Sequence, residues 1–505
     1  MATPDGTAHY FKRLTHKNIP ATSIRTLGKT GFRVSRIGFG GYRVQHHSVE
    51  HAKALRYALL NGFNLIDTSS NYTDGGSEML IGNLLQEMFE REELDRNEVV
   101  IVSKGGYVQG QNLKIASQYE TENHPFPDMV KYLEACWHCI HPDFLEEQLS
   151  RSLERLCLPS IDIYLLHNPE YFLSHKQKNN GVDVTVARDD YYSRIHKAFE
   201  WMEEKVAEGK IKAYGVSSNT FTSPAGDFEF TSLTRLLEIA ASISTNNYFR
   251  IIQFPFNLFE TAACQELNQS SGRESLLDLA TARGIGTLVN RPLNAMYAGR
   301  MVRLASFRMT PATDVIELFH RKLTSTQRLE SQFRQEFLGR LPNDMPAGDF
   351  EKVFSLSGQL ENALSGFQDW EHWDHIKQGY LMPRIFTFLN HLHQRMQETE
   401  GWVKWANSYA EAVASLFDAI SRKYENNAQE RSLRLSGKLK SIDPQLATAP
   451  TLSQQALQVV TSVAGVDCVL LGMRKTPYVE DAFEVLQAPQ LEDAADTIRH
   501  FCASP

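Results

Sequence analysis

No run of about 18 consecutive apolar residues occurs anywhere in the 505 residues, so a membrane-crossing helix is not expected. Positive charge is not in excess either: 52 basic residues against 60 acidic ones leave a net charge of −8, which offers no field to gather nucleic acid or an anionic membrane. The opening residues, MATPDGTAHYFKRLTHKNIP, lack the apolar segment of a secretory signal and the Arg-rich pattern of a transit peptide. A cytoplasmic protein is the expectation. Cysteine is scarce, and six thiols in so long a chain do not make a disulfide framework. Cys136, His138, Cys139 and His141 form a C-x-x-C with neighbouring histidines, but a second ligand pair at finger spacing is missing, so no metal is expected. Gly38-Phe39-Gly40-Gly41 lacks the continuation of a dinucleotide-binding glycine loop. No repeat of 20–50 residues outside a strand–helix unit and no low-complexity tract is present.

What the chain does contain is alternation. Short Val/Ile/Leu-rich runs at 36–40, 63–67, 99–104, 161–167, 211–217, 250–254, 285–289 and 467–471 predict strands covered on both faces. Helical periods lie between them. Residues 143–156 carry Leu145, Leu149, Leu153 and Leu156 on one stripe, with Asp143 expected as the cap and Glu146 at the capping-box position. Residues 49–61 place Val49, Ala52, Leu55 and Leu59 likewise, closed by Asn61-Gly62. Repeated strand–helix alternation predicts an α/β fold, a parallel (β/α)8 TIM barrel, with a hairpin around Lys29-Thr30-Gly31 plugging its N-terminal end. A barrel needs only about 250 residues, so something else must be present. From 297 to 450 no convincing strand is read, and amphipathic helices are. Ala406, Ala410, Val413, Phe417, Ile420 and Tyr424 form one stripe; Ile385, Phe388, Leu389, Leu392 and Met396 form another. The predicted organisation is a discontinuous barrel over 22–296 and 451–490, an all-α insertion over 297–450, and terminal extensions over 1–21 and 491–505.

Three predicted barrel strands end on or run directly into a proton-handling side chain: Asp67, Lys104 and His167, with Tyr72 five residues beyond Asp67. In such a barrel these strand ends share the catalytic face. The runs IRTLGKTGFRVSRIGFGGYR, DTSSNYTDGGSEMLIG, VSKGG, LLHNPE, YGVSSN and VLLGMRKTPYVEDA resemble the aldo-keto reductases in order, spacing and wording. The resemblance implies an oxidoreductase that interconverts a carbonyl and an alcohol. It assigns Tyr72 as general acid, Lys104 as the cation that lowers the phenol's pKa, Asp67 as the lysine's partner, and His167 as a donor that orients the substrate oxygen and shares in proton transfer.

The resemblance also implies a nicotinamide cofactor bound on the barrel, held by Gly41, Ser217 or Ser218, Asn219, Gln253, Arg291, Pro292, Leu293, Gly472, Arg474, Lys475, Tyr478 and Asp481. Arg474 and Lys475 lie where a 2′-phosphate would need cations, which favours NADP (NADPH), with NAD less expected. Two departures stand out. Asn290-Arg291 replaces the usual aromatic-Ser pair before Pro292-Leu293, and Ala482 replaces a customary Asn.

The expected substrate is a small-molecule aldehyde or ketone. Tyr107, Trp137, His138, Tyr171 and Phe172, in the long loops 105–142 and 168–190, either line its pocket or pack those loops on the barrel. The insertion is either a self-contained bundle, a lid over the barrel mouth, or the seat of a protein partner. The rival to an enzyme is a non-catalytic nicotinamide-sensing or scaffold protein working through that insert.

Overall fold

The computed structural model describes residues 1–178, 181–307, 309–342 and 347–503; the predicted ranges 168–190, 297–450 and 491–505 each include positions outside these. The chain opens with a helix, Pro4–Arg13, whose Tyr10 is fully buried and donates to the Leu59 carbonyl at 2.6 Å. Strands β1 (Ile24–Thr26) and β2 (Arg33–Ser35) then pair antiparallel across a turn at Gly28–Thr30. Gly28 sits at φ +45°, and a Cβ there would lie 2.3 Å from the Gly286 nitrogen, so the close approach demands glycine. Leu27, Phe32 and Val34 of this hairpin are buried in one cluster with Leu65, Val100, Ile163, Ile251, Leu288 and Leu470 of the barrel. The hairpin is therefore the barrel's floor, and each large side chain it buries there stabilises the fold by roughly 1.5–3 kcal/mol.

Eight parallel strands close the barrel: β3 (Ile37–Gly40), β4 (Leu65–Asp67), β5 (Val100–Gly105), β9 (Ile161–His167), β10 (Ile211–Ser217), β11 (Phe249–Pro255), β12 (Gly286–Asn290) and β15 (Cys468–Leu471). All eight predicted strands are present and neighbour one another in chain order, and the (β/α)8 fold is confirmed. Register decides what meets at the top. Gly40 lies beside Asp67, Lys104 beside Leu165, and Ser217 beside both His167 and Gln253.

Other elements depart from expectation. The loop after β5 folds as a small antiparallel sheet of β6 (Tyr107–Val108), β7 (Val130–Leu133) and β8 (Cys136–His138). Two further strands, β13 (Asn294–Tyr297) and β14 (Arg300–Arg303), flank a turn with positive φ at Ala298 and Gly299, where only helix was expected beyond 297. The helix expected to begin at a capping Asp143 runs Pro142–Leu156; His141 caps it through Nδ1, and Glu146 instead accepts from Trp201 Nε1 at 2.9 Å. Proline at the first helical position explains the earlier start. Val49, expected on a buried stripe, is 67% exposed.

The chain packs as two units: residues 1–300 with 442–450 and from Gln454 onward, and residues 301–441 with 451–453. Ile498 and Phe501 are buried, so the described terminal segments belong to the barrel unit's fold and are not free tails. The second unit is helical, built on the helices Ala312–Gln332, Met382–Met396 and Trp402–Ile442. Its core gathers Phe333, Phe354, Trp373, Leu392, Trp402, Trp405, Tyr409 and Ile420, with Trp405 stacked on Tyr409 at 5.1 Å. Among the described residues no helix is long and apolar enough to cross a membrane.

Candidate active site

Lys104 is fully buried at the end of β5, and its ammonium is held by three acceptors: Asp67 Oδ2 at 2.8 Å, the Thr68 carbonyl at 2.9 Å and the Tyr72 hydroxyl oxygen at 3.1 Å. The strand registers make this possible, because the ends of β4 and β5 are adjacent and Tyr72 follows on a short turn, Tyr72–Gly75. Asp67's other oxygen accepts from Gln253 Nε2 at 2.8 Å, and Ser217 Oγ donates to Gln253 Oε1 at 3.1 Å. A continuous chain Ser217–Gln253–Asp67–Lys104–Tyr72 thus crosses the barrel top. Behind it, Glu78 is buried and accepts from Ser103 Oγ and from Arg155.

His167 ends β9 with its ring 5.8 Å from that of Tyr72, edge to face. Ser69 Oγ lies 3.0 Å from His167 Nδ1, and Tyr107 packs edge-on against the imidazole at 4.6 Å. His138 donates from Nε2 to the His167 carbonyl at 2.8 Å and stacks on Tyr171. Tyr107 and His138 therefore meet His167 directly and Tyr171 packs behind them on both, whereas Trp137 carries Lys131 over its ring and Phe172 is buried.

Burial governs the electrostatics. It pushes the Asp67 carboxyl up and the Lys104 ammonium down, each opposed by the other's charge. The expectation that Lys104 would lower the pKa of Tyr72 is not met: burial, then the Asp67 charge, hold the phenol well above its ordinary value. The Asp67 carboxylate, on the other side of the lysine, opposes the cation's pull on the phenol. His167 is driven well below its usual range by burial, then by Lys104 and His138, and is a neutral imidazole.

Of the residues expected at a cofactor site, Ser217 and Gln253 join the cluster. Ser218 turns away, its hydroxyl meeting Thr220 and Thr231 at 3.1 and 3.2 Å. Asn219 donates its backbone N–H to Glu170 Oε1 at 2.8 Å, and burial raises that carboxyl to about 7. Gly41 donates to the Asp67 carbonyl, and a Cβ there would lie 2.7 Å from Ser77 Oγ. Arg291, at φ +53°, is paired with Glu260; Pro292 is buried and Leu293 half-buried beside it. Asn290 Oδ1 is buried without a protein partner.

Gly472, Arg474 and Lys475 follow β15, and Tyr478 and Asp481 lie on the helix Thr476–Gln487, which Lys475 precedes as cap. Lys475 reaches Glu50 at 3.8 Å. Ser69, Gln109 and Glu170 were not singled out from sequence. The polar run of DTSSNY and the glutamate of HNPE were the signals available.

The fold is thus a closed (β/α)8 barrel that carries a buried Asp–Lys–Tyr cluster and a neutral histidine at its strand ends. The Aldo/keto reductase family profile matches residues 36–331, more than half of the chain, and the chain belongs to that family. A putative voltage-gated potassium channel subunit beta from Schizosaccharomyces pombe is 31% identical over 158 residues, 30% of this chain and 38% of that protein. Aldo-keto reductase family 1 member A1 from Sus scrofa is 27% identical over 191 residues (37% and 47%). The NADH-specific methylglyoxal reductase of Escherichia coli is 24% identical over 200 residues (38% and 51%). The chain spans about half or less of the length of these relatives. Among solved structures, a holo-form aldo-keto reductase from Bacillus halodurans covers 95% of both chains at 16% identity and a TM-score of 0.46. The glycerol dehydrogenase of Gluconobacter oxydans covers 96% of this chain and 98% of its own at 16% identity and a TM-score of 0.47.

Proposed function

We propose that this chain is an NADPH-dependent oxidoreductase that interconverts a carbonyl compound and an alcohol, with Tyr72 as the proton donor. The observation that carries this reading is the Lys104 ammonium placed between Asp67 and Tyr72. Lys104 donates to the phenol oxygen, so the phenol's own hydrogen is left to point elsewhere, at a substrate oxygen. A phenol that burial keeps protonated is the form needed to give that proton. As negative charge develops on the substrate oxygen and passes to Tyr72, the buried Lys104 cation stabilises it without reorganisation.

The nicotinamide would supply the hydride. Residues at the ends of three successive strands fit it: Ser217, Gln253 and Asn290, whose buried, unpartnered Oδ1 suits a group bringing its own N–H donors, such as a carboxamide. Gly41, Asn219, Arg291, Pro292 and Leu293 would complete the nicotinamide side, and Gly472, Arg474, Lys475, Tyr478 and Asp481 the adenosine-phosphate side. One relative is named for NADH, which makes coenzyme choice a point to measure.

The test follows nicotinamide absorbance while purified protein is incubated with NADPH, then NADH, and a panel of aldehydes, ketones and quinones. Carbonyl-dependent oxidation of NADPH is the expected result, and coenzyme binding with no turnover on any member would favour a nicotinamide-sensing role.

A further inference from the structure

We propose that Ser69 is a positioning residue that fixes the proton of His167 on Nδ1 and leaves Nε2 as a hydrogen-bond acceptor. The inference deepens the reading of His167 as a substrate-side group and rests on it for its functional consequence, though not for its structural content.

Ser69 is fully buried, and its hydroxyl oxygen has three polar neighbours: Asn71 Oδ1 at 2.8 Å, the Lys104 carbonyl at 3.3 Å and His167 Nδ1 at 3.0 Å. A hydroxyl has one proton to give. A main-chain carbonyl can only accept, and Asn71 presents its carbonyl oxygen because its amide nitrogen is engaged elsewhere, donating to Gln109 Oε1 at 3.1 Å. Gln109 in turn donates from Nε2 to Cys136 Sγ at 3.2 Å. Each link donates in the same direction, away from the imidazole, and the series ends on a sulfur. With the Ser69 proton directed to these acceptors, the remaining neighbour must donate to Oγ, and that neighbour is His167 Nδ1. Burial beside Lys104 keeps the ring neutral, so it holds a single proton and Nε2 is bare.

His167 then takes a hydrogen bond where the family resemblance implied that it gives one. During carbonyl reduction Tyr72 alone donates to the substrate oxygen. In the reverse direction the alcohol hydroxyl finds an acceptor in His167 Nε2. Ser69→Ala would remove the acceptor that holds Nδ1–H, and the proton would be free to move to Nε2.

The experiment is a long-range ¹⁵N–¹H correlation of histidine-labelled full-length protein without coenzyme, with the His167 signals assigned by their loss in His167→Asn. The wild type is expected to show Nδ1 protonated and Nε2 bare. Ser69→Ala should shift the pattern toward Nε2–H, and Ser69→Thr, which keeps the hydroxyl, should restore it. In kinetics, Ser69→Ala should raise KM for an alcohol more than KM for the matching carbonyl. A wild-type His167 protonated at Nε2 overturns the proposal without any variant. An unchanged tautomer in folded Ser69→Ala also overturns it. Because the resonance is read on resting protein, its outcome is independent of whether Tyr72 is the acid, which full turnover by Tyr72→Phe would refute separately.

Discussion

Gln253 Nε2 donates to Asp67 Oδ1 at 2.8 Å, tying the sixth barrel strand to the second. The same carboxylate holds Lys104, so a residue on the expected coenzyme side also orients the Asp67–Lys104 pair. Gln253→Ala should cost about 1.5–3 kcal/mol of stability, the range for a hydrogen bond to a charged group. It should also weaken coenzyme binding and lower kcat together. Denaturant melts and fluorescence titration with NADPH check this; a loss of stability with unaltered coenzyme affinity would confine Gln253 to the scaffold.

Tyr72→Phe should leave the fold and NADPH binding intact while lowering turnover ~10²–10⁴-fold, the usual cost of losing a general acid. Single-turnover kinetics with a good carbonyl substrate reads the chemical step directly. Near-full activity would remove Tyr72 from the mechanism.

Lys104→Met should be harsher on the fold, because it leaves Asp67 buried without its cation. Breaking such a pair costs about 3–5 kcal/mol, whereas removing both charges is far milder. The double variant Lys104→Met/Asp67→Leu should therefore regain most of the stability and none of the activity. Equal stability in the single and double variants would show that the pair is not held as an ion pair.

Two buried groups should tilt stability with pH in opposite directions. Glu170 is raised from 4.5 to about 7, so its contribution is fully present below pH 4.5 and is lost as pH rises through 7. At about 1.4 kcal/mol per pH unit the loss is about 3 kcal/mol, and Glu170→Gln should gain that much on the wild type between pH 4.5 and 7. His138 is lowered from 6.5 to about 4, so its neutral form is favourable above pH 6.5 and the wild type loses stability as pH falls toward 4. His138→Gln should flatten that acid limb. Urea melts from pH 4 to 8 on the two variants separate the slopes.

Replacing Arg474 and Lys475 together by alanine should erase most of a preference for NADPH over NADH, since a 2′-phosphate would lose charge-assisted hydrogen bonds. Equal affinity of the wild type for the two coenzymes, measured by titration, would refute the NADP assignment.

The barrel was legible because most of its strands are Val/Ile/Leu-rich runs, and Asp67, Lys104 and His167 because they lie at the ends of three of those runs, with Tyr72 on the turn just after the first. Strands such as β6 and β8, of two and three residues, are shorter than any pattern that periodicity can register. Asp143 was misread as a cap because it follows Pro142, whose fixed φ already starts the helix. The effect of Lys104 on Tyr72 was out of reach for a different reason. It depends on how completely Asp67 cancels the lysine's charge, which register and burial decide. Ser69 lies beside His167 only because the fold brings residues 98 apart together.

The placement of the helical unit between β12 and β15 has a consequence for how the chain is made. Thr287 and Asp467, which exchange hydrogen bonds beside the closing strands, are 180 residues apart in sequence. At a synthesis rate of about 5–20 residues per second, seven barrel strands wait on the order of 10–40 s for the eighth. During that interval β3 and β12 are unpaired edges, the condition in which strands of neighbouring chains join. The nascent chain is therefore most exposed to aggregation while its helical unit is being synthesised, and slowing translation across 301–441 should lower the soluble yield more than slowing it anywhere else.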